Sequence, residues 1–444
     1  MLRTLFRIVT AIVSHDLCSS VFVSGLDADQ DFAERAAKRP RMGLINWAVR
    51  YCVDRTRKEV TASIAGLCPS RAVYREGLGA IVVHPPESTE PPIATADFSD
   101  RNAEAALPEI AGPDLVEAAD GPLRSAVDGA FAEPARPPFR QTKAVIVVHD
   151  GRVIAERYAP GCELKTRLLG YSDSKSVMSA LVGILVRQGR LSVDSPAPVK
   201  EWADPDDPRH GITIDHLLRM TAGLANAESS DPLGPVPRML LLERDMAAFA
   251  AGAQLEAAPG AKWCYSSCTT MILSRIVRDA VGGRAIDVLR FAHRELFQPL
   301  GMHDVTIEFD AAGTPIGSTY MYASARDWAR FGLLYLNDGV VSGRRILSEG
   351  WVGYSSTPTL DTGYGAGFWT HQAVGDCPQF DHPWSLPGVP ADAFSARGIL
   401  GQYVIVVPSK RLVVARFGIS FARDDAEGVG RLVAEVINAL PGSV

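Results

Sequence analysis

The chain has 444 residues, of which 47% are hydrophobic and 22% are charged, and its formal net charge is -6. This composition indicates a soluble globular protein with room for one large domain or two smaller ones, and the acidic balance argues against nucleic-acid binding. The seven cysteines form no Cys-x-x-Cys pair and the nine histidines do not cluster, so we expect no metal, no cofactor and no disulfide scaffold.

The N-terminus, MLRTLFRIVTAIVSHD, has basic residues, a short apolar core and no small-residue cleavage site, which is atypical of a signal peptide. Three interpretations stay open: an amphipathic helix on the protein, the same helix in contact with a membrane surface, and a gene start that clips a longer leader. The localisation therefore stays open between the cytoplasm and the cell envelope, and the oligomeric state is open as well.

The next region, residues 17–84, contains short apolar stretches separated by Gly and Pro, which indicates strands and turns around one helix. These stretches are Val21–Ser24, Val60–Leu67, Arg71–Tyr74 and Ala80–His84. From Pro85 to about Pro138 the chain is rich in Pro, Ala, Asp and Glu, which is typical of a linker that wraps the surface. We predict an N-terminal extension over residues 1–120 and the main domain over residues 121–444.

Two strand pairs lie near the ends of this main domain. Lys143–Val148 and Val153–Tyr158 flank an Asp-Gly turn, and Tyr403–Val407 and Leu412–Phe417 form a matching pair before a final amphipathic helix. Between the pairs the periodicity predicts mostly helices, at Ile214–Met220, Met246–Ala251, Thr269–Val281, Ile286–Phe297 and Ala325–Leu336. The predicted fold class is α+β, with an antiparallel sheet built from both chain ends, flanking helices and an inserted helical subdomain.

The segment Tyr171–Gly189, YSDSKSVMSALVGILVRQG, carries the main chemical signal. Val177–Val186 is apolar on nearly every side and too short to span a bilayer, which predicts a core helix. Ser172 and Lys175 lie one turn apart at its start, in the SxxK arrangement. Burial and the positive helix end favour the neutral lysine that can take a proton from a serine nucleophile. A capping serine beside a solvated lysine is the alternative interpretation.

A second set of hydroxyls lies in the loop Trp263–Ser267, directly ahead of an apolar helix. Tyr265 and Ser267 are two residues apart, so a tight loop there can aim both side chains to one side. A tyrosine that only packs in a surface loop is the alternative interpretation of this pattern.

Five stretches in this order resemble the serine beta-lactamase-related family: the SxxK helix, ITIDHLLRMTAGL, PGAKWCYSS, LFQPLGMHDVT and SARDWARFGLLYLNDG. That family includes class C beta-lactamases, DD-peptidases, carboxylesterases and 6-aminohexanoate-dimer hydrolases, and the last branch is the most similar. The resemblance covers about residues 135–440. It implies a beta-lactamase/transpeptidase-like fold and a serine hydrolase domain over residues 121–444.

The resemblance also implies roles for individual residues. Ser172 corresponds to the acylated nucleophile, Lys175 to its activating partner and Tyr265 to the proton shuttle. Ser267 replaces the frequent Asn of the YxN motif, and the resemblance implies that its hydroxyl hydrogen-bonds either Lys175 or a substrate carbonyl.

The third motif of the family, KTG or HxG, falls at Ala396-Arg397-Gly398, or two or three residues later at Gly401-Gln402. Gly398 keeps the close backbone approach, and the resemblance then implies an oxyanion hole made by the amides of Ser172 and Ile399.

The sequence departs from the family at the first position of this motif, where no Lys or His is present. If Ala396 faces the substrate, Arg397 points away, because alternate strand residues face opposite sides. Trp369 or Trp384 is a candidate wall of the substrate pocket, and structural packing is the alternative role for either residue.

Together these observations predict a serine hydrolase that acts through an acyl-enzyme on small esters or linear amides, with weak or no beta-lactamase activity. The alternative is a catalytically silent relative that binds peptide or cell-wall fragments, which the altered third motif favours.

Overall fold

The computed structural model describes residues 1–36, 38, 43, 45–84, 92–98, 104–373, 375–380 and 382–441. Residues 85–91 and 99–103 of the predicted linker, and residues 374 and 381 of the loop before the third motif, lie outside the described residues. The strands are β1 (Val49–Asp54), β2 (Glu59–Ile64), β3 (Leu67–Arg75), β4 (Gly79–Val82), β5 (Thr142–His149), β6 (Arg152–Tyr158), β7 (Leu168–Leu169), β8 (Val305–Ile307), β9 (Met321–Ala323), β10 (Val340–Val341), β11 (Arg344–Arg345), β12 (Trp369–Thr370), β13 (Phe394–Gly398), β14 (Gln402–Val407) and β15 (Leu412–Gly418). The α-helices are α1 (Leu2–Ser19), α2 (Ala28–Asp31), α3 (Pro122–Phe131), α4 (Asp173–Arg187), α5 (Ile214–Leu218), α6 (Pro235–Leu242), α7 (Met246–Ala251), α8 (Ser267–Val281), α9 (Ala285–Ala292), α10 (Gln298–Leu300), α11 (Ala325–Leu336), α12 (Trp351–Ser356) and α13 (Ala426–Ala439).

The chain divides into two compact units, and each unit combines segments that are far apart in sequence. The first comprises Met1–Ser99, Arg190–Phe291 and Thr306–Tyr322, and the second comprises Asp100–Gly189, Ala292–Val305 and Ala323–Val444. The domain boundary expected near residue 120 stays a prediction.

The N-terminal part of the first unit is a four-stranded antiparallel sheet in the order β1-β2-β3-β4, with α1 packed against it. Val13 and Leu17 of α1 share a hydrophobic cluster with Val60 and Ala72 of the sheet. The apolar stretch Val21–Ser24, one of those from which strands and turns around one helix were expected, lies in a π-helical turn that continues α1. Its β-branched residues suit a strand, but packing of the helix on the sheet overrides that weak preference.

The N-terminal helix also carries buried polar contacts. His15 Nε2 lies 2.8 Å from Glu308 Oε2, and Ser19 Oγ donates to Glu308 Oε1 at 2.7 Å. Burial alone would lower the pKa of His15, but Glu308 and Asp16 outweigh it and raise the pKa to about 9. Within the described residues, Leu2–Ser24 is a helix long and apolar enough to cross a membrane, and 78% of its most apolar stretch is buried. Because a core helix passes the same test, the membrane and leader interpretations stay predictions.

The middle segment of the first unit, Arg190–Phe291, is mainly helical, as the sequence predicts for the inserted subdomain. Helices α5 to α8 pack together, and α8 is buried along most of its length from Ser267 to Val277. The predicted helices at Met246–Ala251 and Thr269–Val281 correspond to α7 and α8. This subdomain carries the loop that contains Tyr265.

The second unit is built on a six-stranded antiparallel sheet in the order β12-β13-β14-β15-β5-β6. Both predicted strand pairs are present, and Asp150 and Gly151 take the positive φ values of 48° and 80° that an Asp-Gly hairpin turn needs. The prediction of one sheet built from both chain ends is therefore confirmed.

Helices cover both faces of this sheet. Helices α3 and α13 share a core with Val414 and Ile405, whereas Gly332 of α11 packs against Val413 and Val404, which point to the opposite face. Helix α3 lies inside the predicted linker and was not expected. Its short apolar stripe of Ala126, Val127 and Ala130 is weak in sequence, and packing on α13 stabilises it.

Candidate active site

The start of α4 holds the candidate nucleophile. Ser172 is the N-cap residue, yet its side chain makes no capping hydrogen bond. Tyr171 has a left-handed φ of 47°, and the turn is closed by Asp173 N donating to Gly170 O at 3.0 Å. Left-handed conformations of bulky residues are uncommon and cluster at functional sites. The turn therefore leaves the Ser172 hydroxyl available for chemistry rather than for capping.

Lys175 is the partner of that hydroxyl. Its Nζ lies 2.8 Å from Ser172 Oγ, and the residue is only 3% exposed. The distance is within the range for direct proton transfer between a nucleophile and its base. The SxxK spacing thus brings the two groups into direct contact inside one unit.

Asp173, which sequence analysis did not select, is fully buried beside this pair. Neither carboxyl oxygen has a hydrogen-bond partner within the described residues. Burial raises the pKa of Asp173 well above its ordinary value, against the charge of Lys175, which lowers it. The neutral carboxylic acid is therefore the favoured form at this position.

Side chains one and two turns into α4 fix the helix against a loop of the same unit. Ser176 Oγ donates to Gly367 O at 2.6 Å, and Ser179 Oγ donates to Ala366 O at 2.9 Å. These buried hydrogen bonds hold the helix that carries Ser172 in one position along its axis.

The end of strand β13 lies against the turn that precedes Ser172. A Cβ atom on Gly398 would lie 2.1 Å from Gly170 O and 3.0 Å from Tyr171 Cβ, so only glycine fits there. Within the described residues, the backbone N–H groups of Ser172 and Ile399 donate no hydrogen bond. Ile399 is 43% exposed. The second unit therefore presents two backbone N–H groups that are available as donors, and they flank the place where Gly398 approaches the Gly170 carbonyl.

Arg397, at the middle of the predicted third motif, is buried under a neighbouring loop. Its guanidinium donates to Trp384 O at 2.8 Å, to Pro383 O at 3.1 Å and to Ser395 Oγ at 3.2 Å. It lies 3.3 Å from His371 Nε2, and burial followed by the charge of Arg397 lowers the pKa of His371 well below its ordinary value. The arginine is thus committed to contacts inside the protein.

Trp369, the candidate wall of the pocket, is buried in an aromatic cluster. Its ring centroid lies 5.2 Å from that of Tyr364, 5.0 Å from that of His382 and 5.8 Å from that of Trp384. The Arg397 guanidinium lies 5.6 Å from the ring centroid of Trp369. These contacts show that Trp369 is packed beside Arg397 of the predicted third motif, and its role as a wall of the substrate pocket stays a prediction.

The first unit holds the other predicted site residues. Tyr265 and Ser267 are buried at the start of α8, where Ser266 Oγ accepts from Cys268 N at 3.1 Å as the helix cap. Ser267 Oγ donates to Glu228 Oε2 at 2.7 Å, and Glu228 N donates to Tyr265 O at 3.0 Å. Glu228 therefore binds the Tyr265 loop through both its side chain and its backbone. Its distance of 39 residues from Ser267 leaves no local signal in the sequence.

The loop that contains Glu228 is joined to the Tyr265 loop along its length. Gly260 N donates to Thr221 O and Cys264 N donates to Met220 O, both at 2.8 Å. Gly223 has a φ of 74°, and a Cβ there would lie 2.2 Å from Ala257 O. The two motif stretches TAGL and PGAKWCYSS thus form one backbone-bonded structure.

The predicted residues are accordingly distributed over the two units. Ser172 and Lys175 are in contact in the second unit, which also contains Gly398 and Ile399, whereas Tyr265 and Ser267 belong to the first. No group of three or more His, Cys, Asp or Glu side chains suited to a metal ion occurs within the described residues.

Comparison with known proteins identifies the family and the fold of this chain. The family model described as "Beta-lactamase" matches residues 139–436. A 6-aminohexanoate-dimer hydrolase of Paenarthrobacter ureafaciens is 26% identical over 298 residues, which is 62% of this chain and 72% of that relative. A family VIII carboxylesterase has a TM-score of 0.57 at 16% identity, over 75% of this chain and 100% of the other. A penicillin-binding protein homologue from Caulobacter crescentus has a TM-score of 0.56 at 18% identity over the same shares. The two structures establish a beta-lactamase/transpeptidase-like fold.

Proposed function

This chain belongs to the beta-lactamase family, whose model matches residues 139–436, and from that premise we propose that it is a serine hydrolase of the SxxK type. The proposal is that it forms an acyl-enzyme on small esters or linear amides and acts weakly or not at all on beta-lactams. The observation that carries the proposal is the 2.8 Å contact between Lys175 Nζ and Ser172 Oγ, a hydroxyl that makes no helix-capping hydrogen bond.

The proposed acylation step uses this contact directly. Ser172 Oγ forms a bond to the substrate carbonyl carbon while Lys175 takes its proton, and the carbonyl electron pair moves onto the oxygen. The unused amides of Ser172 and Ile399 supply donors for that oxyanion. As the carbonyl re-forms, the bond to the leaving group breaks, and the proton held by Lys175 passes through Tyr265 to the leaving group. Water then attacks the acyl carbon, the bond to Ser172 Oγ breaks, and one proton of the water returns to Ser172 Oγ as the acid is released.

The substrate class follows from the charge available near the third motif. A beta-lactam carries a carboxylate, and a hydrogen bond to a charged group typically contributes about 1.5 to 3 kcal/mol. Arg397 is bound to Trp384 O and Pro383 O, so its charge is directed to the protein interior. An uncharged ester needs no such cation. The named activities of the 6-aminohexanoate-dimer hydrolase and the carboxylesterase favour linear amides and esters for this chain as well.

The test compares turnover of p-nitrophenyl butyrate, a short acyl p-nitroanilide and a chromogenic cephalosporin on one preparation. We expect the ester to be fastest, and we expect Ser172→Ala to abolish its turnover. Ser125→Ala, an exposed serine on α3, serves as the matched control. Faster cleavage of the cephalosporin would overturn the substrate class. No turnover of any substrate would favour the silent, fragment-binding alternative.

A further inference from the structure

The turn between β13 and β14 carries Ile399, whose amide is a proposed oxyanion donor. Leu400 and Gly401 in this turn have left-handed φ values of 64° and 86°. The three carbonyls of the turn are all bonded: Ile399 O accepts from Gln402 Nε2 at 3.1 Å, Leu400 O from Ser420 N at 2.9 Å, and Gly401 O from Arg416 NH1 at 2.7 Å. The turn is therefore fixed from several sides.

The amide next to the proposed donor is bound by a carboxylate. Leu400 N donates to Asp424 Oδ1 at 2.6 Å. A hydrogen bond to an ionised acceptor is shorter and stronger than one between neutral groups. The Leu400 N–H lies in the peptide plane that joins Ile399 to Leu400, and this plane meets the plane of the Ile399 N–H at Ile399 Cα. Fixing the first plane therefore restricts the direction in which the Ile399 N–H points.

The segment that presents Asp424 has an uncommon backbone. Arg423, Asp424 and Asp425 are three consecutive non-glycine residues with left-handed φ values of 44°, 52° and 54°. Such residues are held in place only where surrounding contacts impose the conformation. Here Arg423 pairs with Asp376 at 2.9 Å, and Asp425 pairs with Arg416 at 3.2 Å.

We propose that Asp424 is a positioning residue for the hydrolytic reaction, which holds the Ile399–Gly401 turn so that the Ile399 N–H is directed at the developing oxyanion. This inference rests on the proposed function and adds to it a residue that lies outside the family motifs quoted above. Asp424 itself touches neither the nucleophile nor the substrate; it acts through Leu400.

The protonation of Asp424 gives a second way to examine this role. Burial raises its pKa to about 6, while the Leu400 amide, Arg397 and Arg416 lower it. The other charged or titratable groups near it are Tyr403 on β14 and, on its own segment, Arg423 and Asp425. Since the carboxylate is the stronger acceptor, its hold on Leu400 weakens as the pH falls through about 6.

Two substitutions separate the acceptor from the backbone conformation. Glycine tolerates the φ of 52° at this position but has no acceptor, whereas asparagine also tolerates it and keeps an amide oxygen that does not titrate. Asp392→Ala is the matched control, because Asp392 binds Ser409 N at 2.7 Å beyond the opposite end of β14.

For ester hydrolysis at pH 8, we expect Asp424→Gly to lower kcat by roughly tenfold to a hundredfold with little change in KM, the range that follows from removing a support of one oxyanion donor. Asp424→Asn and Asp392→Ala should stay within roughly threefold of the wild type, as neither removes the acceptor on Leu400. Below pH 6 the ratio of wild-type to Asp424→Asn activity should decrease, because aspartate becomes protonated there and asparagine does not. Lys175 and Tyr265 affect both proteins alike, so their contributions cancel in the ratio. Circular dichroism checks that each variant is folded, and if Asp424→Gly does not fold, the pH ratio decides.

Equal kcat in Asp424→Gly and wild type, or a pH-independent ratio, overturns the inference and leaves the proposed hydrolase function intact. A wild type that hydrolyses no ester and is not labelled at Ser172 overturns the proposed function, and with it this inference. The two failures are therefore distinguished by the wild-type protein alone.

Discussion

Gly398→Ala is the substitution whose effect can be worked out most directly from the structure. The new Cβ would lie 2.1 Å from Gly170 O, and that oxygen belongs to backbone, which cannot rotate away. Relief to an ordinary van der Waals separation requires a displacement of about 1 Å between β13 and the turn before Ser172. A misplacement of that size costs on the order of a hundredfold in rate, or about 2.7 kcal/mol in the activation free energy.

The assay is kcat/KM for p-nitrophenyl butyrate together with the thermal midpoint of unfolding. Gly353→Ala is the matched control, because Gly353 lies in α12 with open space around its Cβ position. We expect the control to keep full activity and Gly398→Ala to lose roughly a hundredfold while it remains folded. A Gly398→Ala protein within threefold of wild-type activity would refute the role assigned to this close approach.

Three further predictions follow from the site and the N-terminal helix. Lys175→Ala and Tyr265→Phe should each lower ester turnover by on the order of a hundredfold without loss of the circular dichroism signal, because both groups act in proton transfer; near-full activity of Tyr265→Phe contradicts its role as the shuttle. Glu228→Ala should lower kcat/KM by roughly tenfold and Glu228→Gln by less, as measured by ester kinetics, since glutamine still accepts from Ser267 Oγ; an equal loss in both variants refutes the acceptor role. His15 has a folded pKa of about 9, above the unfolded 6.5, so its pairing with Glu308 stabilises the fold fully below pH 6.5 and is lost as the pH rises through about 9. Urea unfolding should therefore show a smaller difference between wild type and His15→Gln at pH 10 than at pH 6, and a constant difference contradicts the ion pair.

Local patterns in the sequence predicted those parts of the structure that depend on neighbouring residues. The Asp150-Gly151 turn follows from the positive φ values that these residues tolerate, and the apolar run of α4 follows from helical periodicity. The contact of Ser172 with Lys175 could also be predicted from the local pattern, since a spacing of three residues places both side chains on one helical face.

Contacts between distant segments could not be predicted in this way. Glu228 binds Ser267 across 39 residues and Asp424 binds Leu400 across 24, and nothing in the local pattern marks either carboxylate. Asp173 was overlooked because a polar residue at a helix start ordinarily caps in solvent, whereas here the chain buries it. The division of the chain into units likewise depends on packing between segments as far apart in sequence as those that end at Gly189 and begin at Ala292.

The central claim, that Ser172 is a nucleophile activated by Lys175, is tested most directly by a fluorophosphonate probe followed by peptide mapping of the adduct. We predict a single adduct on Ser172, formed on the order of a hundredfold more slowly in Lys175→Ala, because the lysine takes the proton as the bond to Oγ forms. An adduct on another serine, no adduct in folded protein, or an unchanged labelling rate in Lys175→Ala would contradict it.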